Sequence, residues 1–193
     1  MRVHGEKTIS RRNDVLYQTD YRNYEHDLRE DFHHICGYCG KYEMISSKGM
    51  ELDHFVPDHI DHSRQCDYTN LVYSCFTCNR KKSGKWPTLD KTIPHNGYVG
   101  FADPATPDFD LHLGREEDGE IEYYTAVGEY MYKTAFKFNL RQTRLIWRIS
   151  QLYQLIEKMK LQIGKMSLME KEECLSLFVE LSELHKYMFD HKE

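Results

Sequence analysis

The chain has 193 residues, 40% hydrophobic and 30% charged, a balance that fits a soluble globular chain of one domain or a small module with an extension. No apolar run reaches the roughly 18 residues a membrane span requires, and the opening MRVHGEKTISRRND lacks an apolar leader core, so we expect a cytoplasmic protein with no membrane partner. A formal net charge of -5 and a pI near 6.1 exclude a protein that coats nucleic acid by bulk charge, but not a local basic patch.

Residues 1–20 carry no strong pattern and read as a partly ordered arm. YRNYEHDLREDF, from Tyr21 to Phe32, has no Gly or Pro and reads as a helix. Residues 36–86 concentrate the cysteines, the glycine turns and many of the histidines. Lys91 to Gly119 is rich in Pro, Gly and Asp, with EEDGE as a hairpin turn before the strand-like IEYYTAV. From about Tyr130 the texture turns helical, with Leu145, Ile149, Leu152, Ile156, Met159 and Ile163 spaced three or four apart. Gly164 fits a helix C-cap and Ser167 with Glu170 a capping box. A second helix then carries Leu175, Phe178, Val179, Ser182 and His185 along one stripe. The expected organisation is 1–90 as core with arm and helix, 91–129 as connector and 130–193 as a C-terminal helical hairpin. So many large side chains on a two-helix appendage suggest burial against another subunit.

Six cysteines in a chain without export signals point to metal rather than disulfides. Cys36 and Cys39 form one Cys-x-x-Cys knuckle, and Cys75 and Cys78 form a second. Four thiolates so paired suit a tetrahedral structural Zn²⁺, with Gly37 and Gly40 easing the backbone at the first knuckle. The 35 residues between Cys39 and Cys75 exceed the usual ribbon spacing, so something sizeable folds between the knuckles. Cys66 and Cys174 have no such spacing and read as ordinary cysteines.

Inside that frame, MELDHFVPDHIDHSRQCDYTNLVYSC holds Asp53-His54 near the end of a strand that Pro57 stops. Strict alternation sends neighbouring side chains to opposite faces, so the two share a site only if the strand ends there. Asn70-Leu71-Val72-Tyr73 reads as a second strand, entering the Cys75 knuckle and a short helix that carries Asn79. Glu51 is expected to face solvent or brace a neighbour, and His59 and His62 to be exposed. Arg80, Lys81, Lys82 and Lys85 follow Asn79 closely and could hold phosphates; Arg141, Arg144 and Arg148 suggest a second basic stripe.

CGYCG, ELDHFVP and NLVYSCFTCNRKKSGK together resemble the HNH endonuclease family, with its ββα-metal (His-Me finger) core. The resemblance implies an α+β fold: a zinc-stabilised ββα-metal core with flanking helices. It matches His54 to the family's general base, Asn70 to the asparagine bracing the base-carrying loop, and Asp53 and Asn79 to the ligands of one catalytic Mg²⁺ or Mn²⁺. It implies hydrolysis of nucleic-acid phosphodiesters, DNA first, leaving 5′-phosphate and 3′-hydroxyl ends. FADPATPDFDLHL, GEIEYY and the helical tail resemble HNH proteins of bacterial antiphage loci, in particular the nuclease subunit of Septu-type systems, which works with an ATPase partner. A homodimer through the C-terminal helices is the other partner reading. A non-catalytic zinc-ribbon adaptor and a toxin-type nuclease held by an immunity protein stand as alternatives; RNA as substrate, strandedness and sequence preference stay open.

Overall fold

A computed structural model describes residues 1–190 of the chain. The helix expected from Tyr21 begins as one tight turn, Tyr21–Tyr24, capped by the Asp20 carboxylate, and continues as α1, Glu25–Asp31. Met50–His54 (β1) and Leu71–Cys75 (β2) then pair antiparallel, with Met50 opposite Cys75 and His54 opposite Leu71. Phe76–Lys82 forms α2 directly from the end of β2. All five residues of β2 are buried, which suits its unbroken LVYSC run of small and apolar side chains.

The connector is built into the same core. Pro107–His112 is α3, and Leu113–Arg115 (β3) pairs with Ile121–Tyr123 (β4) across the turn read from EEDGE. Gly119 turns there with φ +94°, a conformation that favours glycine. Ala126–Glu129 (α4) runs on into a wider π-turn, Tyr130–Ala135. One continuous apolar cluster reaches from Val3 to Phe138.

The first 20 residues, expected to be partly ordered, are anchored by that cluster. Val3 and His4 are buried, the N-terminal amine donates to the Arg115 carbonyl at 2.7 Å, and the Arg115 amide donates to the Met1 carbonyl at 2.8 Å. Arg115, itself 1% exposed, donates to the carbonyls of Val3, Cys39 and Gly119. It joins the arm, the first cysteine knuckle and the β3–β4 turn. Burial pushes the Arg115 guanidinium down to about 10. Arg11 adds a paired contact to Asp103 at 2.8 and 3.0 Å.

Thr143–Lys160 (α5) and Leu168–Asp190 (α6) make the helical hairpin. Ile149, Leu152 and Ile156 of α5 are buried against Leu181 of α6. The capping box forms: the Ser167 amide donates to Glu170 at 2.7 Å, and the Glu170 amide to Ser167 Oγ at 3.3 Å. Two expectations shift. α5 stops at Lys160, and Gly164 lies in a separate tight turn, Ile163–Lys165, rather than at the cap. The inner stripe of α6 is Cys174, Leu177, Leu181 and Leu184, while Leu175, Phe178 and Val179 are 64%, 49% and 53% exposed. Apolar residues surround α6 on more than one face, so periodicity alone did not choose the stripe. Among the described residues, no helix is long and apolar enough to cross a membrane.

Glu43, just after the first knuckle, ties three elements together. It accepts from Arg29 of α1 at 2.9 Å, from Tyr73 of β2 at 2.8 Å and faces His34 at 3.1 Å. Burial opposes its charge, but donors from Arg29, Tyr73 and His34 outweigh that and bring its carboxyl from the ordinary 4.5 to about 2. A pKa depressed on folding stabilises above the unfolded value and is lost as pH falls through the folded one. Wild type is therefore more stable than Glu43→Gln at pH 7, with the gap shrinking between about 4.5 and about 2; thermal melts across that range would check it, and a gap independent of pH would refute the assignment.

Candidate metal centre and active site

The four sulfurs of Cys36, Cys39, Cys75 and Cys78 converge, each within 4.8 Å of the others. All four residues are buried, and none forms a disulfide. Zinc–sulfur bonds of ~2.3 Å at tetrahedral angles place sulfurs ~3.8 Å apart, and Cys39 Sγ lies 3.8 Å from Cys75 Sγ. The donor set and its size fit zinc. Gly40 turns the first knuckle with φ +65°, and a Cβ there would meet the Val3 carbonyl at 2.9 Å, so the close return of the N-terminal arm demands glycine.

The pocket is arranged for negative sulfur. Cys39 is pulled well below the ordinary thiol range by hydrogen bonds from its three cysteine neighbours and by Arg141, while burial pushes Cys36 and Cys78 up. Arg141 donates to Cys78 Sγ at 3.2 Å and to Cys39 Sγ at 3.6 Å. The second basic stripe read from the sequence is therefore absent as such. Arg141 turns inward to the cysteines, Arg144 pairs with Asp118 at 3.0 Å, and Arg148 with Glu180 at 2.6 Å.

Between the knuckles, alternation holds to the end of β1, so Asp53 and His54 separate. The Asp53 carboxylate turns into the core, where it accepts from Tyr38 at 2.5 Å and pairs with Lys82 at 3.0 Å. Burial pushes its carboxyl up, against the pull of Lys82 and Tyr38. Lys82, expected at a phosphate, is 0% exposed. Its ammonium also donates to the His54 carbonyl at 2.7 Å and lies 5.7 Å from the Phe101 ring centroid. Lys82 is thus an internal strut between α2 and the end of β1, because helical spacing from Cys78 turns it to the same buried side.

His54 lies on the other face of β1. Its Nε2 is 2.8 Å from the Gln65 carbonyl and its ring packs edge-on against Tyr21 at 4.7 Å. A carbonyl can only accept, so Nε2 carries a proton, and in the neutral ring the lone pair sits on Nδ1. Asn70, 1% exposed, accepts from the Val56 amide at 2.9 Å and donates to the carbonyls of Val56 at 3.1 Å and Arg64 at 3.3 Å. It closes both ends of the loop that supplies Gln65.

Asn79 reaches the same side from α2. Its amide donates to Glu51 at 2.6 Å, and Arg80 holds the other Glu51 oxygen at 3.0 Å. Glu51, Asp53, His54, Asn79, Arg80 and His59 are among the residues that line a cavity of 690 Å³. Glu51, expected to face solvent or brace a neighbour, braces Asn79 and Arg80 at the edge of this cavity. His62 stands outside, paired with Asp58 at 2.8 Å. Lys81 and Lys85 are exposed. The Lys85 amine is lowered by burial and by Lys137 and Lys81, which adds Lys137 to that basic edge.

The unit formed by β1, β2 and α2 is of mixed α/β make-up, and its four-cysteine cluster could hold zinc, which is consistent with a ββα-metal core. Residues 36–85 match the family model for HNH endonuclease, which supports that family for this segment and a nuclease as its class. No curated protein and no solved structure matches the chain.

Removing one partner of a buried ion pair costs about 3–5 kcal/mol, because the other charge is left unpaired. Asp53→Asn should lower stability by about that much, and Asp53→Asn/Lys82→Met should recover most of it. Denaturant unfolding checks the pair, and additive losses would show that the two side chains act independently.

Proposed function

We propose that the chain is a metal-dependent endonuclease that hydrolyses phosphodiester bonds of nucleic acid, with DNA as its substrate. The observation that carries this reading is His54: its Nε2 proton is committed to the Gln65 carbonyl, on a cavity shared with Asn79 and Glu51. Nδ1 then accepts a proton from an attacking water, the work of a general base near neutral pH. Asn70 keeps that ring in place by bracing the loop from Val56 to Arg64.

Asn79 and a β1 carboxylate would hold the catalytic Mg²⁺ or Mn²⁺, an oxygen donor set that such hard cations prefer. The sequence resemblance nominates Asp53 for that carboxylate. The contacts favour Glu51, which already touches Asn79, while Asp53 is neutralised by Lys82. When bound, the ion neutralises charge at phosphorus and stabilises the leaving oxygen. Arg80 lines the cavity, and it and the exposed Lys81 and Lys85 that follow would position the backbone without reading sequence.

The resemblance of the later segments to antiphage nucleases supports a role against invading DNA beside an ATPase. The exposed Leu175, Phe178 and Val179 of α6 support a protein partner on the hairpin. Plasmid cleavage with Mg²⁺ or Mn²⁺ tests the core of the proposal. His54→Ala should slow cleavage by ~10²–10⁴-fold with zinc content unchanged, and Asn79→Ala and Glu51→Gln should raise the Mg²⁺ requirement. Equal rates in wild type and His54→Ala would remove His54 from the chemistry, and a Mg²⁺ requirement raised by Asp53→Asn but not Glu51→Gln would return the ligand role to Asp53.

A further inference from the structure

His95, Asp108 and His112 bring one ligand atom each to within 4.8 Å of one another, outside both the cysteine cluster and the His54 cavity. Asp108 and His112 stand four residues apart on α3, hence on one face of it. His95 comes from the preceding loop, where it bridges to Gly100. The two imidazoles meet edge-on at 4.9 Å, with the carboxylate serving both: His95 Nε2 is 3.2 Å from Asp108 Oδ2, and His112 Nε2 is 3.5 Å from Asp108 Oδ1.

A hydrogen-bonded cluster accounts poorly for these atoms. His112 is 8% exposed, yet its Nε2, which faces the Asp108 carboxylate, has no hydrogen-bond partner among the described residues. An unpaired buried polar atom of this kind is rare and demands a partner. Metal–ligand bonds of ~2.0–2.1 Å at tetrahedral angles set donor atoms roughly 3.3 Å apart, between the two nitrogen–oxygen separations seen. The outer contact also fits: His112 Nδ1 lies 2.6 Å from Thr125 Oγ, and a ligating histidine commonly engages its second nitrogen in this way. Burial lowers the His112 pKa, which favours the neutral ring.

We propose that His95, Asp108 and His112 form a second metal site, for a first-row divalent cation of which zinc is the first choice, and that the ion pins the loop carrying His95 to α3. Two imidazoles and one carboxylate are a borderline donor set, suited to zinc rather than to magnesium or calcium. The Asp108 side chain is 42% exposed, so a fourth position is open to water. The loop it fastens contains Trp86 and Phe101, which stack at 6.1 Å beneath Lys82, and this site would therefore stiffen the floor under the Asp53–Lys82 pair. The proposal is independent of whether the chain cuts nucleic acid.

The test is metal content of the full chain loaded with Zn²⁺, by native mass spectrometry, for wild type, Asp108→Asn and His112→Ala. Each variant should carry one zinc fewer than wild type. In parallel, Co²⁺ loading reports the cysteine cluster by its thiolate charge-transfer band, which should be unchanged in both variants and so show that the fold survives. A wild type that holds no more ion than Asp108→Asn overturns the proposal, as does loss of the thiolate band together with the extra ion.

Discussion

Two cysteine knuckles, 35 residues apart in the chain, meet at one point, and the cavity beside His54 depends on that meeting. Cys75 is the last residue of β2 and Cys78 lies in the first turn of α2. Fixing the sulfurs therefore fixes the strand-to-helix joint, and with it the direction in which Asn79 leaves the helix. The convergence concentrates negative charge in a dry pocket, which Arg141 meets directly.

The second constraint is the Asp53–Lys82 pair. Asp53 borders the cavity while Lys82 is fully buried; the pair binds α2 to the end of β1, and Lys82 also holds the His54 carbonyl. The spacing between the histidine and Asn79 follows from this internal contact. A buried pair is weak evidence of net stability; what it supplies here is a fixed register between two elements that must face each other.

The ββα core was legible because its signals are local. Knuckle spacing, strand alternation up to Pro57 and the turn residues of EEDGE each act over a few positions. The capping box at Ser167 was legible for the same reason. What escaped reading was set at long range. The start of the arm is held by the carbonyls of Met1 and Val3, which accept from Arg115, and carbonyls leave no mark on a sequence. Lys82 looked like a member of a basic run until the buried side of α2 was known. Glu51 and Arg141 are of types that ordinarily face water, and only the fold shows that one adjoins Asn79 and the other the cysteines. The His95–Asp108–His112 cluster joins a loop to a helix in a connector whose composition suggested loops and short strands.

On the proposed reading, the cavity beside His54 cleaves phosphodiesters with a divalent ion. The most direct measurement is incubation of the purified wild-type chain with supercoiled plasmid, with and without Mg²⁺ or Mn²⁺, followed by analysis of the ends produced. Nicking or linearisation that requires the ion and leaves ligatable 5′-phosphate and 3′-hydroxyl ends is the predicted result. A zinc-loaded chain that binds the plasmid but leaves it intact under every divalent ion would contradict the claim and leave a nucleic-acid-binding module in its place.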